Sequence, residues 1–286
     1  MNRCDYLCAR VASSAWRKPR AVSNFEVVEV EDYDASIMQK FVRERDMTWQ
    51  ERYIARFYSA DQGWVDGTTE FHALCKAAIP QGGRILEIGA GPSNATSRYL
   101  ATLGELHGLD PDPDAIRNDS LTSSSLMTSD RFPFENESFD ACVSNYVLEH
   151  VADPRCHLRE VKRVLSPGGA YVVRTPNRLH YVALVASATP HWFHQLAANR
   201  LRDLGAEAHE PYPTFYALNT QAAFRRQSAE VGLRVETLRL VEKEPSYGMS
   251  SRALFLAMMA YERLVNATEL AKDLRSNIFA VLRKEA

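Results

Sequence analysis

The sequence predicts an α/β fold in which a doubly wound, mostly parallel sheet carries a helical cap. Two observations predict it. Short apolar runs alternate with segments of helical period through the middle of the chain, the pattern of a sheet covered by helices on both faces. The first run leads into a glycine turn, Gly89-Ala90-Gly91, and the next ends on a carboxylate, Asp110, as expected of strands whose carboxyl ends line a ligand crevice.

In chain order, residues 1–80 read as mostly helical and form an N-terminal cap region. Strands are expected at 84–89, 105–110, 139–145 and 169–175, within a ligand-binding half of the core at 81–176. Between the last two lies a helix that Asp153 caps and Pro154 opens. Leu158, Val161 and Leu165 recur on one of its faces, and Pro167-Gly168-Gly169 ends it. An aromatic-rich insertion at 177–216 adds to the cap. In the C-terminal half, 217–286, Asn219-Thr220 opens a helix that Gly232 closes. A strand at 233–242, a helical insertion at about 246–275 and a strand at 277–284 follow, the last expected to run antiparallel.

Composition narrows the function classes. The 286 residues carry a formal net charge of −2 with both signs interspersed, so nucleic acid is not expected as a partner. Cys4, Cys8, Cys75, Cys142 and Cys156 are scattered without a paired motif, which argues against a disulfide framework or zinc site and fits a reducing, cytoplasmic setting. Charged residues interrupt positions 1–20, as in no secretory signal, and the longest apolar run, 253–261, is too short to span a membrane. Whether the chain forms a homo-oligomer is left open.

The informative segment is Ile85-Leu86-Glu87-Ile88-Gly89-Ala90-Gly91-Pro92-Ser93, a strand running through a glycine turn into a helix. Glycine lets the backbone approach a ligand where a Cβ would collide, and the helix N-terminus offers free N–H groups. Asp110, nineteen residues beyond Gly91, ends the next strand where a carboxylate can take two ribose hydroxyls. A nicotinamide oxidoreductase shares these needs, but its fingerprint requires a third glycine where this chain has Asn94. Glu87 would also repel a diphosphate while tolerating an ammonium- and sulfonium-bearing ligand.

Four motifs in order then carry a resemblance: Ile85 to Gly91; Leu109-Asp110-Pro111-Asp112-Pro113; Phe132-Pro133-Phe134 through Phe139-Asp140; and Val147-Leu148-Glu149-His150-Val151 with Arg163-Val164-Leu165-Ser166-Pro167-Gly168-Gly169. Over about one third of its length the chain resembles class I methyltransferases of the small-molecule group that includes the ubiquinone-type O-methyltransferases. The resemblance implies a Rossmann-like, seven-stranded sheet with an antiparallel last strand. It also implies S-adenosylmethionine as cofactor, with S-adenosylhomocysteine as its product. Gly89 and Gly91 would line the methionine moiety, with Glu87 and Ala90 also in the cofactor site; Asp110 would bind the ribose, Pro111 would pack on the adenine, and the backbone of Asn145 would lie near the ligand's amino group. The family's acidic adenine contact falls on Thr128, so either Thr128 contacts the adenine differently or nearby Asp130 substitutes, with Ser129 beside them in the cofactor site. Relatives that hold a metal use Glu-x-x-Glu-His. Here the first position is Tyr146, so no metal is expected although Glu149 and His150 remain.

His150 follows the fourth strand at the ligand edge, where an imidazole can take a proton from a hydroxyl or merely bond a neighbouring loop. Tyr146 is its candidate catalytic companion. Tyr58, Trp64, Tyr181, Trp192 and Tyr216 are candidate acceptor contacts, with Phe193, Tyr212 and Phe215 in the same segments. His191 and His194 lack a third ligand and are assigned to the cap or the acceptor. The aromatic cap favours an apolar or aromatic acceptor, while Arg174, Arg178, Arg200 and Arg202 leave room for an anionic group. The expected activity is methyl transfer to a small molecule, most naturally at oxygen. Transfer to nitrogen or carbon of a secondary metabolite, a non-methylating cyclase or rearrangement role, and the disfavoured nicotinamide chemistry are the alternatives.

Overall fold

The strand pattern folds into one sheet in the computed structural model, which describes residues 47–183 and 212–285. Residues 1–46 lie outside it, as do His191, Trp192, Phe193, His194, Arg200 and Arg202. The described elements are α1 (Trp49–Phe57), α2 (Gly67–Ala78), β1 (Arg84–Ile88), α3 (Ala95–Leu100), β2 (Glu105–Asp110), β3 (Ser123–Leu126), β4 (Phe139–Asn145), α4 (Pro154–Val164), β5 (Leu165–Pro176), α5 (Gln221–Val231), β6 (Leu233–Val241), α6 (Arg252–Ala267) and β7 (Asn277–Lys284).

The seven strands form one sheet in the order β3-β2-β1-β4-β5-β7-β6. β1 to β5 pair in parallel, whereas β7 runs antiparallel to both β5 and β6, as the sequence predicts. Alternating side chains feed two cores. Leu86, Cys142, Tyr171 and Val173 face one; Ile85, Ala141, Val143 and Val172 face the other. Winding reverses between β1 and β4, so the turn after β1 lies at the switch point where open α/β sheets take their ligands.

Local signals explain the boundaries. Asp153 accepts N–H groups from Arg155 and Cys156 at 3.0 Å each, and Pro154 begins α4. Thr220 caps α5, which ends at Gly232 with φ 74°. Asp140 accepts the Arg84 N–H at 2.8 Å, joining the starts of β1 and β4.

Two expectations need correction. α4 stops at Val164, and Leu165 already pairs with Phe139, so Pro167-Gly168-Gly169 does not end the helix. It bulges within β5, since the register resumes only at Ala141 and Ala170. β3 has no counterpart among the strands placed from sequence. Its Ser-Ser-Ser-Leu run sits at the sheet edge, mostly exposed, where no apolar alternation is required.

Candidate functional site

At the carboxyl end of β1 the chain turns through Gly89 with φ 73° and Gly91 with φ 54°, both in the left-handed region. A Cβ on Gly89 would meet Val147 Cγ2 at 2.3 Å, while one on Gly91 would meet nothing within 4 Å, so the space over the turn is open. Gly89→Ala is therefore expected to lower stability by about 2–4 kcal/mol, combining left-handed strain with overpacking. Denaturant titration checks this, and wild-type stability would contradict it. Asn94, at the position that departs from the dinucleotide fingerprint, caps α3 by accepting the Thr96 and Ser97 N–H groups at 2.8 and 3.0 Å. Its amide also donates to the Ala90 carbonyl at 2.9 Å, bracing the turn.

Three polar side chains close around that turn. Asp110, 7% exposed, accepts the Gly91 N–H at 2.9 Å and the Asp112 N–H at 2.8 Å. Glu87, 3% exposed, accepts the Ser97 hydroxyl at 2.7 Å. Asn145 donates to Thr96 Oγ1 at 3.1 Å, and its Oδ1 is buried without a hydrogen-bond partner among the described residues. These features suit S-adenosylmethionine: open space above a glycine backbone, a carboxylate at the ribose position, and an orphaned acceptor where an ammonium would donate. Buried Ala90 belongs to the turn and exposed Pro111 follows β2. Thr128, Ser129 and Asp130 are exposed just beyond Met127, whose N–H reaches the Asp110 carbonyl at 2.8 Å. Ser129 donates to the Arg131 carbonyl at 3.2 Å.

Beyond β4 lies a second space, a cavity of about 610 Å³ lined by Tyr146, His150, His180, Tyr181, Tyr216 and Glu242 among others. Tyr146 enters it with φ 58°, its hydroxyl bonded to Asn277 Oδ1 at 2.9 Å and its ring 4.6 Å from the Arg174 guanidinium. His150 Nδ1 lies 2.9 Å from the Pro213 carbonyl, an acceptor, so this nitrogen carries the proton. The Glu149 carbonyl takes the Phe215 and Tyr216 N–H groups at 2.7 and 3.2 Å, drawing that segment to the cavity wall.

The candidate acceptor contacts divide. Tyr181 and Tyr216 line the cavity. Tyr58 and Trp64 are not among its lining residues: they pack edge to face at 4.7 Å beside Phe255, and the Tyr58 hydroxyl donates to buried Glu262 at 3.1 Å. Trp192 lies outside the described residues.

Residues 86–173 match the family model of a methyltransferase domain. Over that stretch, about a third of its length, the chain is similar to methyltransferases. A methyltransferase of Anoxybacillus flavithermus is 25% identical over 165 residues, 54% of this chain and 78% of that protein. One from Mycobacterium tuberculosis is 32% identical over 141 residues, 45% of this chain and 53% of that protein. The chain thus spans about half the length of its mycobacterial relative. Among solved structures, a chain from the complex of the Haloferax volcanii Trm112 methyltransferase activator with a methyltransferase shares the fold. It has a TM-score of 0.53 at 20% identity, covering 83% of this chain and 94% of that one.

Burial sets the electrostatics around the glycine turn and in the cavity. It pushes the Glu87 carboxyl up to about 7, reinforced by the charge of Asp110. In the second cavity it pushes Glu242 up to about 7, with Glu262 adding to the effect, and raises Glu149. Burial also holds His180 down at about 4, and with Glu242 lifts Tyr181 to about 12. This lining is more polar and more ionisable than the aromatic cap sequence suggests. Sequence reasoning misses His180 and Glu242, since no motif marks either. Among the described residues no cluster of three or more His, Cys, Asp and Glu side chains is arranged to hold a metal.

The raised Glu87 value has a stability consequence. An unfolded glutamate loses its proton near 4.5 and the folded one near 7, so folding loses stability as pH rises through that interval. The loss is about 3 kcal/mol, because a tenfold change in proton affinity is worth roughly 1.4 kcal/mol. Glu87→Gln should thus gain stability relative to wild type between about pH 4.5 and about pH 7. The comparison within one background cancels His157 and His180, both pushed down to about 4 by burial and acting in the opposite sense. Urea melts at both ends of the window check this, and a pH-independent difference contradicts it.

Proposed function

We propose that the chain transfers a methyl group from S-adenosylmethionine to a hydroxyl oxygen of a small-molecule acceptor bound beside His150. One observation carries the choice of oxygen. With Nδ1–H committed to the Pro213 carbonyl at 2.9 Å, a neutral His150 ring keeps its lone pair on Nε2, the form a general base requires.

When bound, S-adenosylmethionine supplies a methyl group on a sulfonium that leaves as a neutral thioether. The residues of this chain do the positioning. Gly89 and Gly91 admit the methionine moiety against bare backbone, Asn145 Oδ1 accepts from its ammonium, and Asp110 accepts from the ribose hydroxyls. Pro111 packs on the adenine, with Thr128, Ser129 and Asp130 beside it. On the acceptor side, Tyr146, Tyr181 and Tyr216 orient the hydroxyl and His150 Nε2 takes its proton as the carbon–oxygen bond forms. Alignment supplies most of the acceleration in such an in-line displacement, and the base adds to it. The unpaired thiols of Cys75, Cys142 and Cys156 accord with a cytoplasmic setting. No described helix is long and apolar enough to cross a membrane.

The test is transfer of an isotopically labelled methyl from S-adenosylmethionine to a panel of small phenols and alcohols, read by mass spectrometry. Label on an oxygen of the product supports the reading. Label confined to nitrogen or carbon, or cofactor binding without transfer to any panel, overturns it.

A further inference from the structure

Three groups in the cavity take no part in this transfer: His180, Glu242 and Glu244. His180 is 6% exposed, and its Nε2 is buried with no hydrogen-bond partner among the described residues, although Glu242 Oε2 lies only 3.5 Å away. Glu244 Oε2 is likewise buried and unpartnered. Glu242 has the Ser276 N–H at 2.8 Å. Of the two Lys and Arg side chains in the same lining, Lys243 is engaged elsewhere. Lys243 Nζ sits 2.6 Å from both Glu70 Oε2 and the Val65 carbonyl. Arg174 reaches Thr68 Oγ1 at 3.2 Å and covers the Tyr146 ring, with its Nε buried and without a hydrogen-bond partner among the described residues, and no described carboxylate pairs with it. A buried carboxylate with no counter-ion is costly unless a ligand supplies the charge.

We propose that this part of the cavity receives a protonated amine on the acceptor, held by the carboxylates of Glu242 and Glu244 and by a lone pair of His180. An ammonium has three donors and no acceptor, so it suits two carboxylates and a neutral imidazole, whereas an anionic group would face two like charges. The elevation of Glu242 to about 7 agrees, since burial without a cation nearby raises a carboxyl and a bound ammonium would lower it. The acceptor class that follows is a small amine that also carries the hydroxyl to be methylated. This inference rests on the cavity being the acceptor site.

The experiment titrates the full chain, with and without saturating S-adenosylhomocysteine, against tyramine, para-ethylphenol and para-hydroxyphenylpropionate. These share a phenol and differ in charge. Tyramine should bind about ten- to a hundredfold more tightly than para-ethylphenol, the range for the net gain of one charge-assisted hydrogen bond, and the acid should bind most weakly. Glu242→Gln keeps an acceptor for the Ser276 N–H and should bring tyramine close to para-ethylphenol while leaving S-adenosylhomocysteine affinity intact. Glu244→Gln repeats the test should the first variant melt early. Equal affinity for the three probes, no tyramine binding, or a tyramine preference surviving both substitutions overturns the amine proposal. Failure to bind S-adenosylhomocysteine overturns the transfer reading instead, and does so whatever tyramine does.

Discussion

Asp110→Ala should weaken S-adenosylhomocysteine binding by about 2–4 kcal/mol, roughly 30- to 1000-fold, because charge-assisted hydrogen bonds to the ribose hydroxyls are lost. The carboxylate is well placed for that role. It ends β2 beside the switch point, is 7% exposed, and is fixed by the Gly91 and Asp112 N–H groups at 2.9 and 2.8 Å. Those same bonds make it a brace for the glycine turn, so part of the loss will come from a less ordered turn. Asp110→Asn keeps one acceptor oxygen, and so one of the two backbone bonds, while removing the charge, and should fall between wild type and alanine. Calorimetry showing wild-type affinity in Asp110→Ala would remove the residue from the cofactor site.

His150→Ala should reduce turnover by about 10²- to 10⁴-fold on a hydroxyl acceptor while cofactor affinity changes little, the usual consequence of removing a positioned base. The ring also ties the 212–216 segment to the turn after β4 through the Pro213 carbonyl. His150→Gln addresses that second role, since its amide can donate to the same carbonyl but cannot serve as a base. If the base matters, glutamine is nearly as slow as alanine. If only the tether matters, glutamine recovers most of the rate. Normal turnover of His150→Ala across the pH range would leave alignment alone to account for catalysis.

What is legible in the sequence follows the physics of each residue. The turn at Gly89 and Gly91 can be read because its backbone angles exclude most side chains, and Asp110 because its place at the end of β2 combines with that turn. Caps at Asp153 and Thr220 are equally legible, being local hydrogen-bonding devices. Pro167-Gly168-Gly169 misleads because proline and glycine mark a strand bulge as readily as a helix end. β3 escapes notice because an edge strand of serines has no apolar signature. Sequence leaves undivided the aromatics that pack together, Tyr58 and Trp64, and those that line the cavity, Tyr181 and Tyr216, because aromatic residues look alike whether they fill a core or line a cavity. His180 and Glu242 have no local signal at all. Their burial comes from the meeting of the turn after β5 with the ends of β6 and β7, which only tertiary structure creates.

The central claim, that the glycine turn and Asp110 form an S-adenosylmethionine site, is tested most directly by calorimetric titration of the wild-type chain with S-adenosylhomocysteine and, separately, with NADH. The account predicts saturable one-to-one binding of S-adenosylhomocysteine, at about micromolar affinity or tighter, and none of NADH in the same range. Saturable binding of NADH with none of S-adenosylhomocysteine would contradict it.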